Sequence, residues 1–211
     1  TWELLTERHQ ALFRCLSVFR GAFTRRAARV VCQASPHELR QLVDCSLLWH
    51  KTPGWYEVHE LLRQYGTDKL AEDATEATRA SVRHCEYFIE RLSAALERLQ
   101  GKDQAGALVE LDDDIDNFRL AWRTAIARGE GARLHPAMDT LGFYYEWRVR
   151  VREGRQAFQR LAEAIDPRES AHARMTHVRA LAWQAAFLRQ EGKPDVALEL
   201  LDEAVAHCEH P

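Results

Sequence analysis

Little in this 211-residue sequence interrupts a helix, with only 6 prolines and 10 glycines. Long stretches run without either, which favours helix. Charge of one sign is also missing. Lys and Arg number 29, Asp and Glu 32, and the net charge is −3, which argues against a chain whose main task is coating nucleic acid. No apolar run approaches the roughly 20 residues of a membrane helix, and no signal peptide is visible. The five cysteines, Cys15, Cys32, Cys45, Cys85 and Cys208, are odd in number and include no CxxC pair. A disulfide framework is therefore not expected, and a reducing cytoplasm is the natural setting. Four of the five sit among apolar residues, where a free thiol packs as a small hydrophobe. What is present is ordinary for a globular protein: 46% hydrophobic and 29% charged residues, enough for one large domain or two small ones. The chain begins at Thr1 without a Met, and the expectation is a piece of something longer.

Along the chain, ERHQALFRCLSVF places Leu12, Cys15, Leu16 and Phe19 on one helical stripe, ended by Gly21. Thr24 can cap the next helix, whose apolar face holds Ala27, Ala28, Val31 and Cys32. Ser35-Pro36 with Glu38 three residues after the serine is a capping box. It opens a third helix carrying Leu39, Leu42, Val43 and Leu47. The pattern then changes. The runs 47–50 and 55–58 are short and β-prone, and Pro53-Gly54 between them signals a hairpin turn. A helix follows at once, with Leu61, Leu62, Tyr65 and Leu70 as its expected buried side. Three helices, a hairpin and a further helix within about 70 residues read as a winged helix-turn-helix variant.

From Thr75 onward the sequence predicts helix throughout. Val82, Cys85, Phe88, Ile89, Leu92, Leu96 and Leu99 form one stripe up to Gly101, and Leu108, Leu111, Ile115, Phe118, Trp122 and Ile126 form a second, ended by Gly129 and Gly131. The last 80 or so residues hold a weak repeat of the tetratricopeptide type. One copy runs Met138-x2-Leu141-Gly142-x2-Tyr145, Gly154-x3-Phe158 and Asp166-Pro167. The second runs Leu181-x2-Gln184-Ala185-x2-Leu188 and Ala197-x3-Leu201-x2-Ala204. The small residues at 142 and 154, and at 185 and 197, are expected where paired helices cross closely. Extra residues near 168–177 must lengthen the connection between copies. The expected fold is mainly α: a winged-helix domain at 1–72, a helical linker pair at 73–130, and a tetratricopeptide-like array at 131–211.

The order LFRCLSVFRGAFT, LVDCSLLW, YEVHELLRQYGTDKL, LDDDIDNFRLAWRTAI and REGRQAF resembles the bacterial STAND-type signalling ATPases and transcriptional regulators, relatives of the NB-ARC switch proteins. The stretch resembled is their winged-helix domain and the start of a tetratricopeptide-like sensor. In that family a nucleotide-binding domain lies upstream. Its P-loop, G-x-x-x-x-G-K-[ST], has no match here, because Gly21, Gly54, Gly66 and Gly101 lack the following Gly-Lys. The chain is thus expected to be no enzyme and to carry no cofactor of its own, with ADP or ATP belonging to the intact protein. The family's Met-His-Asp motif corresponds to Val58, His59 and Glu60, and the resemblance gives His59 a role in sensing the β-phosphate of ADP. On local grounds alone His59 could equally cap a helix or pack beside Trp55.

Other clusters weigh less. The recognition-helix candidate 36–48 carries the nearly neutral set His37, Glu38, Arg40, Gln41 and Asp44. Residues 1–72 hold 10 basic and 8 acidic side chains, too balanced for a phosphate-gripping surface. Arg25, Arg26 and Arg29 form the best basic cluster, and direct DNA binding is not expected. The acidic run Asp112, Asp113, Asp114 and Asp116 lacks the alternation and glycine of a calcium loop and reads as a dipole-complementing helix start. His207, Cys208, Glu209 and His210 lack a second ligand pair, and His172 and His177, five apart, would not share a helix face, so no metal site is expected. No Ser-His-Asp arrangement or nucleophile elbow stands out. Arg148, Arg150, Arg152 and Arg155 beside Trp147 are the candidate partner-binding surface, since Arg and aromatics dominate protein-binding hot spots. The leading expectation is a regulatory fragment in which the winged helix answers to the upstream domain of the same chain. The repeats would sense an unknown protein or small-molecule effector, with no membrane involved. The alternatives are a DNA-binding winged-helix module with a helical dimerisation or effector domain, and a free-standing repeat scaffold.

Overall fold

The computed structural model describes residues 2–209, except for the side chains of Leu4 and Glu209. Its contacts divide the chain into two compact units, residues 1–88 with 112–121, and residues 89–111 with 122–211. The stretch 73–130 is shared between them.

The first unit opens with α1 (Glu7–Leu16), capped by the Thr6 hydroxyl, and buries Leu12, Phe13, Cys15 and Leu16. A two-residue strand β1 (Phe23–Thr24) follows. Thr24 then caps α2 (Arg25–Cys32), its hydroxyl accepting from the Ala27 amide at 3.1 Å. The Ser35 capping box opens α3 (Pro36–Asp44) with both of its bonds in place, Glu38 N–H to Ser35 Oγ at 3.2 Å and Ser35 N–H to the Glu38 carboxylate at 2.7 Å. The hairpin consists of β2 (Trp49–Thr52) and β3 (Trp55–Glu57), and the antiparallel sheet has the order β1-β3-β2, with Phe23 opposite Tyr56. Helix, strand, two helices and a hairpin in this order make a winged helix-turn-helix. Strand β1 is an addition to the expected hairpin. Two residues are too short to show any alternation, and β1 is recognisable only by its partner β3. Leu47 and Leu48 are buried and non-strand, so β2 starts two residues later than the apolar run suggests.

Helix α4 (Glu60–Ala71) turns its sides differently from expectation. Gly66 and Leu70 are buried, with Gly66 against Phe13 of α1, while Leu61 is 70% exposed. The expected single helix up to Gly101 breaks at Ala95 into α5 (Ala74–Ala94) and α6 (Leu96–Gln100). Helix α7 (Gln104–Ala127) starts well before the acidic run. Asp112 to Asp116 therefore lie mid-helix, beyond the reach of the N-terminal dipole, and are no helix start. Asp116 pairs with Arg119 at 2.9 Å, and Asp114 is buried. Cys15, Cys32 and Cys85 are buried thiols, while Cys45 and Cys208 are exposed.

At the centre of the first unit Asn117 of α7 holds the backbone of Arg20 by both groups. Its Oδ1 accepts from the Arg20 amide at 2.9 Å, and its Nδ2 donates to the Arg20 carbonyl at 3.0 Å. The same Oδ1 accepts from His84 Nε2–H at 3.1 Å. His84 packs against Phe88 and Phe19, with ring centroids at 4.6 and 5.6 Å.

The second unit contains α6 and the ends of α7. After a 3-10 turn (Gly131–Ala137) with Pro136 inside come α8 (Met138–Trp147), α9 (Val151–Ala164), α10 (Ala171–Gln190) and α11 (Pro194–Glu209). α10 packs on both α9 and α11. The array is helical as expected, but its small residues serve another purpose. A Cβ at Gly142 would overlap the Trp183 ring, and one at Gly154 would lie 2.6 Å from Phe187 Cζ. Both rings come from α10. The glycines therefore admit aromatics of the next helix hairpin. Phe158, Trp183 and Phe187 stack with centroids 5.7 to 6.1 Å apart. Tyr145 is buried, as its repeat position requires, and Ala185, Leu188 and Ala197 form a separate small core. Of the extra residues near 168–177, only the first few are loop. Those from 171 form the first turns of α10, where His172 Nε2 meets the Ala132 carbonyl at 2.9 Å and Thr176 meets His135 at 3.2 Å.

Two outcomes follow from these packings. Burial pushes the His84 imidazole down to about 4 from an ordinary 6.5. An unfolded chain takes up a proton near pH 6.5 that the folded one refuses, so stability falls as pH drops from about 6.5 towards 4. His84→Phe should flatten this decline by up to about 1.4 kcal/mol per pH unit, read from urea unfolding at successive pH values. Separately, Gly154→Ala should destabilise by about 1–3 kcal/mol, although Gly→Ala in an unobstructed helix gains up to about 1 kcal/mol. Phe187 is fully buried and has nowhere to withdraw, and the half-buried Trp183 ring is held by its bond to Asp139 and by stacking on Phe158 and Phe187. Gly142→Ala should therefore destabilise by a comparable amount, and equilibrium unfolding of the two variants side by side checks this.

Candidate functional site

Strand β3 ends at Glu57, Val58 turns inward, and His59 becomes the first residue outside α4. Its backbone is extended, and its Nδ1 accepts from the Leu61 amide at 3.3 Å, so the imidazole caps the helix. An Nδ1 that accepts carries no proton. The neutral ring then holds its proton on Nε2 as an unspent donor. The ring is exposed and lies edge-on to Trp49 of β2, centroids 5.6 Å apart and planes at 73°. Trp49, not Trp55, is its neighbour. Trp49 is 41% exposed, and every residue of β2 faces outward. An N–H donor on an exposed ring at a helix N-terminus, beside an exposed indole, can bind an anion or a planar polar group. Trp49 and Leu61 are the residues sequence reasoning missed here. The signal available was the departure of Leu61 from a stripe that passes through Gly66 and Leu70.

The recognition-helix candidate is partly consumed by its own unit. Glu38 is bound by Arg8 at 2.6 Å, and Gln41 by His9 at 2.9 Å. The Arg8 guanidinium holds the Glu38 carboxyl down to about 2, so it stays charged and engaged. His37, Arg40 and Asp44 are left exposed on α3, a neutral set. Arg25, Arg26 and Arg29 are exposed on α2.

The arginines around the α8–α9 turn do not form one free surface. Arg155 donates to Glu191 at 3.1 Å and to Gln159 at 3.0 Å, tying α9 to the end of α10. Arg150 sits over the Tyr144 ring at 6.0 Å and 3.9 Å from Glu153. Arg148 is half-buried, and Trp147 stacks on Phe143 at 5.2 Å. Arg152 is exposed. Among the histidines and acids of the described residues, one group converges: His177 of α10 with Glu203 and His207 of α11. His210 lies outside the described residues.

Comparison with known proteins gives likeness without a family. No family model matches the chain. Curated proteins named as HTH-type transcriptional regulators, from Mycobacterium bovis and from two strains of Mycobacterium tuberculosis, are 31% identical over 192 residues. The match covers 85% of this chain but 21% of each relative, so the chain spans about a fifth of their length. Among solved structures, a STAND protein with a tetratricopeptide repeat sensor from Pyrococcus horikoshii aligns with 99% of this chain and 45% of its own. That alignment has 12% identity and a TM-score of 0.36, too low to carry an argument about fold or activity. No helix among the described residues is long and apolar enough to cross a membrane.

Proposed function

We propose that this chain is the switching and sensing portion of a cytoplasmic STAND-type signalling ATPase or transcriptional regulator. It performs no catalysis itself. Its winged helix closes on an upstream nucleotide-binding domain of the same protein, and its helical array receives an effector. The observation that carries this reading is His59, exposed at the N-terminus of α4 with Nδ1 committed to Leu61, which leaves the proton of the neutral ring to Nε2. A ring so fixed is ready to donate to a phosphate oxygen, at a helix end whose dipole favours anions. The neighbouring Trp49 and Leu61, both exposed, supply apolar surface for a closing domain to cover. The regulatory character agrees with the names of the Mycobacterium relatives, and their much greater length leaves room for the nucleotide-binding domain. Two states then suffice: winged helix closed over ADP, and open when effector on the repeats favours release.

The test is His59→Ala in the full-length protein. A charge-assisted hydrogen bond made only in the closed state is worth about 1.5–3 kcal/mol, so ADP should dissociate roughly 10–150-fold faster. The fold should lose no more than about 1 kcal/mol, the value of a helix cap. Unchanged ADP release with a lowered melting temperature would reduce His59 to a cap and sink the sensing role.

A second reading, direct DNA binding by the winged helix, draws on exposed Arg25, Arg26 and Arg29 and on the relatives' name. Anisotropy titration of the chain with duplex DNA at low salt separates the two. Tight binding that weakens steeply with salt would favour this second reading over the first.

A further inference from the structure

Helices α10 and α11 bring together three side chains that are far apart in the sequence. His177 lies in the second turn of α10, and Glu203 and His207 lie four residues apart on one face of α11. His177 Nε2 is 3.8 Å from a Glu203 carboxylate oxygen, and His207 Nε2 is 4.0 Å from the same oxygen. The three candidate ligand atoms all lie within 4.8 Å of one another. The two imidazoles stand nearly perpendicular, centroids 5.1 Å apart.

The protonation pattern makes this gathering unusual. His177 is 8% exposed, and its Nδ1–H donates to the Ala162 carbonyl at 3.1 Å. That bond puts the proton on Nδ1 and leaves a lone pair on Nε2. This Nε2 is buried and has no hydrogen-bond partner. A buried acceptor with no donor is costly. Here it faces a carboxylate and a second imidazole, two further groups able to offer an electron pair to a cation. A cation at the centre would satisfy all three. A histidine whose far nitrogen is held by a backbone carbonyl is also how proteins orient an imidazole ligand.

We propose that His177, Glu203 and His207 bind a zinc-class divalent ion that fastens α11 to α10. Two imidazole nitrogens and one carboxylate are a borderline donor set, suited to zinc rather than to calcium or magnesium. Metal–ligand distances of about 2.0–2.2 Å require the ligand atoms to draw in by a fraction of an ångström to about an ångström. Glu203 and His207 can do this, with side chains 50% and 33% exposed, while His177 stays as the fixed point. Three protein ligands leave a fourth tetrahedral position for water.

The experiment is calorimetric titration of Zn²⁺ into the purified, chelator-stripped chain, with thermal unfolding alongside. The expected result is saturable binding of one ion per chain and a raised melting temperature, since an ion bound only by the folded state stabilises it. Glu203→Gln, at an exposed position, and His207→Gln, at a half-buried one, should weaken binding by at least about 10–100-fold, the cost already seen for outer-shell partners. His177→Gln should do the same. The pair Cys208→Ser with His210→Ala should bind zinc as the parent does. Absence of saturable binding at millimolar Zn²⁺ would overturn the proposal. Binding that survives both His177→Gln and Glu203→Gln, or that is lost in the Cys208→Ser and His210→Ala chain, would overturn it too, the ion then being held by the C-terminal residues alone.

Discussion

Asn117 carries the N-terminal unit. It is wholly buried, and its carboxamide clamps both the amide and the carbonyl of Arg20 while accepting from His84. Either backbone group of Arg20 left unsatisfied would cost about 1–3 kcal/mol. The clamp holds the turn after α1, and with it Phe19, which stacks on Phe23 at 4.4 Å. Phe23 in turn sets the register of β1 against Tyr56 of β3, and β3 runs directly into Val58 and His59. The position of the candidate site thus rests, through three short steps, on one amide from α7. This explains why residues 112–121 belong with the first unit although the sequence places them nearly 100 residues after Arg20.

Where a feature is encoded locally, the sequence displays it. The Ser35 capping box, the Thr24 cap and the Pro53-Gly54 turn depend on residues within four positions of each other, and each is found where its residue types require. Features set by contacts between distant segments are silent in sequence. Strand β1 exists only because β3 lies beside it. The stripe of α4 passes through Gly66 because Phe13 of α1 needs the room. Gly101 and the apolar Leu108 and Leu111 already put the start of α7 ahead of the acidic run, but nothing in the run reveals that Asp114 is buried. The repeat signature was legible in its spacing and only half legible in its reason. Gly142 and Gly154 are small because of Trp183 and Phe187, residues belonging to the other copy.

That interlock gives the second unit a direction. The first copy supplies bare backbone, and the second supplies rings that fill it. Asp139 adds polar bonds to the same contact, since its carboxylate is paired with Arg179 and accepts from Trp183 Nε1–H at 3.1 Å. Trp122 of α7 closes the other side, stacking edge-on against Phe158 at 5.5 Å and donating to the Ala157 carbonyl at 3.2 Å. Arg155, by sequence a candidate for outward recognition, is spent holding Glu191. Aromatic and arginine content near a repeat is therefore an ambiguous sign of a binding face, because the same residue types cement neighbouring helix pairs.

Three histidines show how the fold decides what an imidazole can do. Each has one ring nitrogen committed to a neighbour, and the direction of that bond fixes the character of the ring. His84 donates from Nε2 to Asn117 in an apolar shell and is held neutral well below neutral pH, so it serves as a structural donor. His59 accepts at Nδ1 from a helix amide. Its proton is thereby forced to the outer nitrogen, a disposition suited to an anionic oxygen and unsuited to a metal. His177 donates at Nδ1 to a carbonyl, which leaves the opposite nitrogen with a lone pair and suits a metal while excluding a phosphate. Residue type and spacing distinguish none of these cases. The chemistry of each site follows from which backbone group, an amide or a carbonyl, the folded chain sets against the ring.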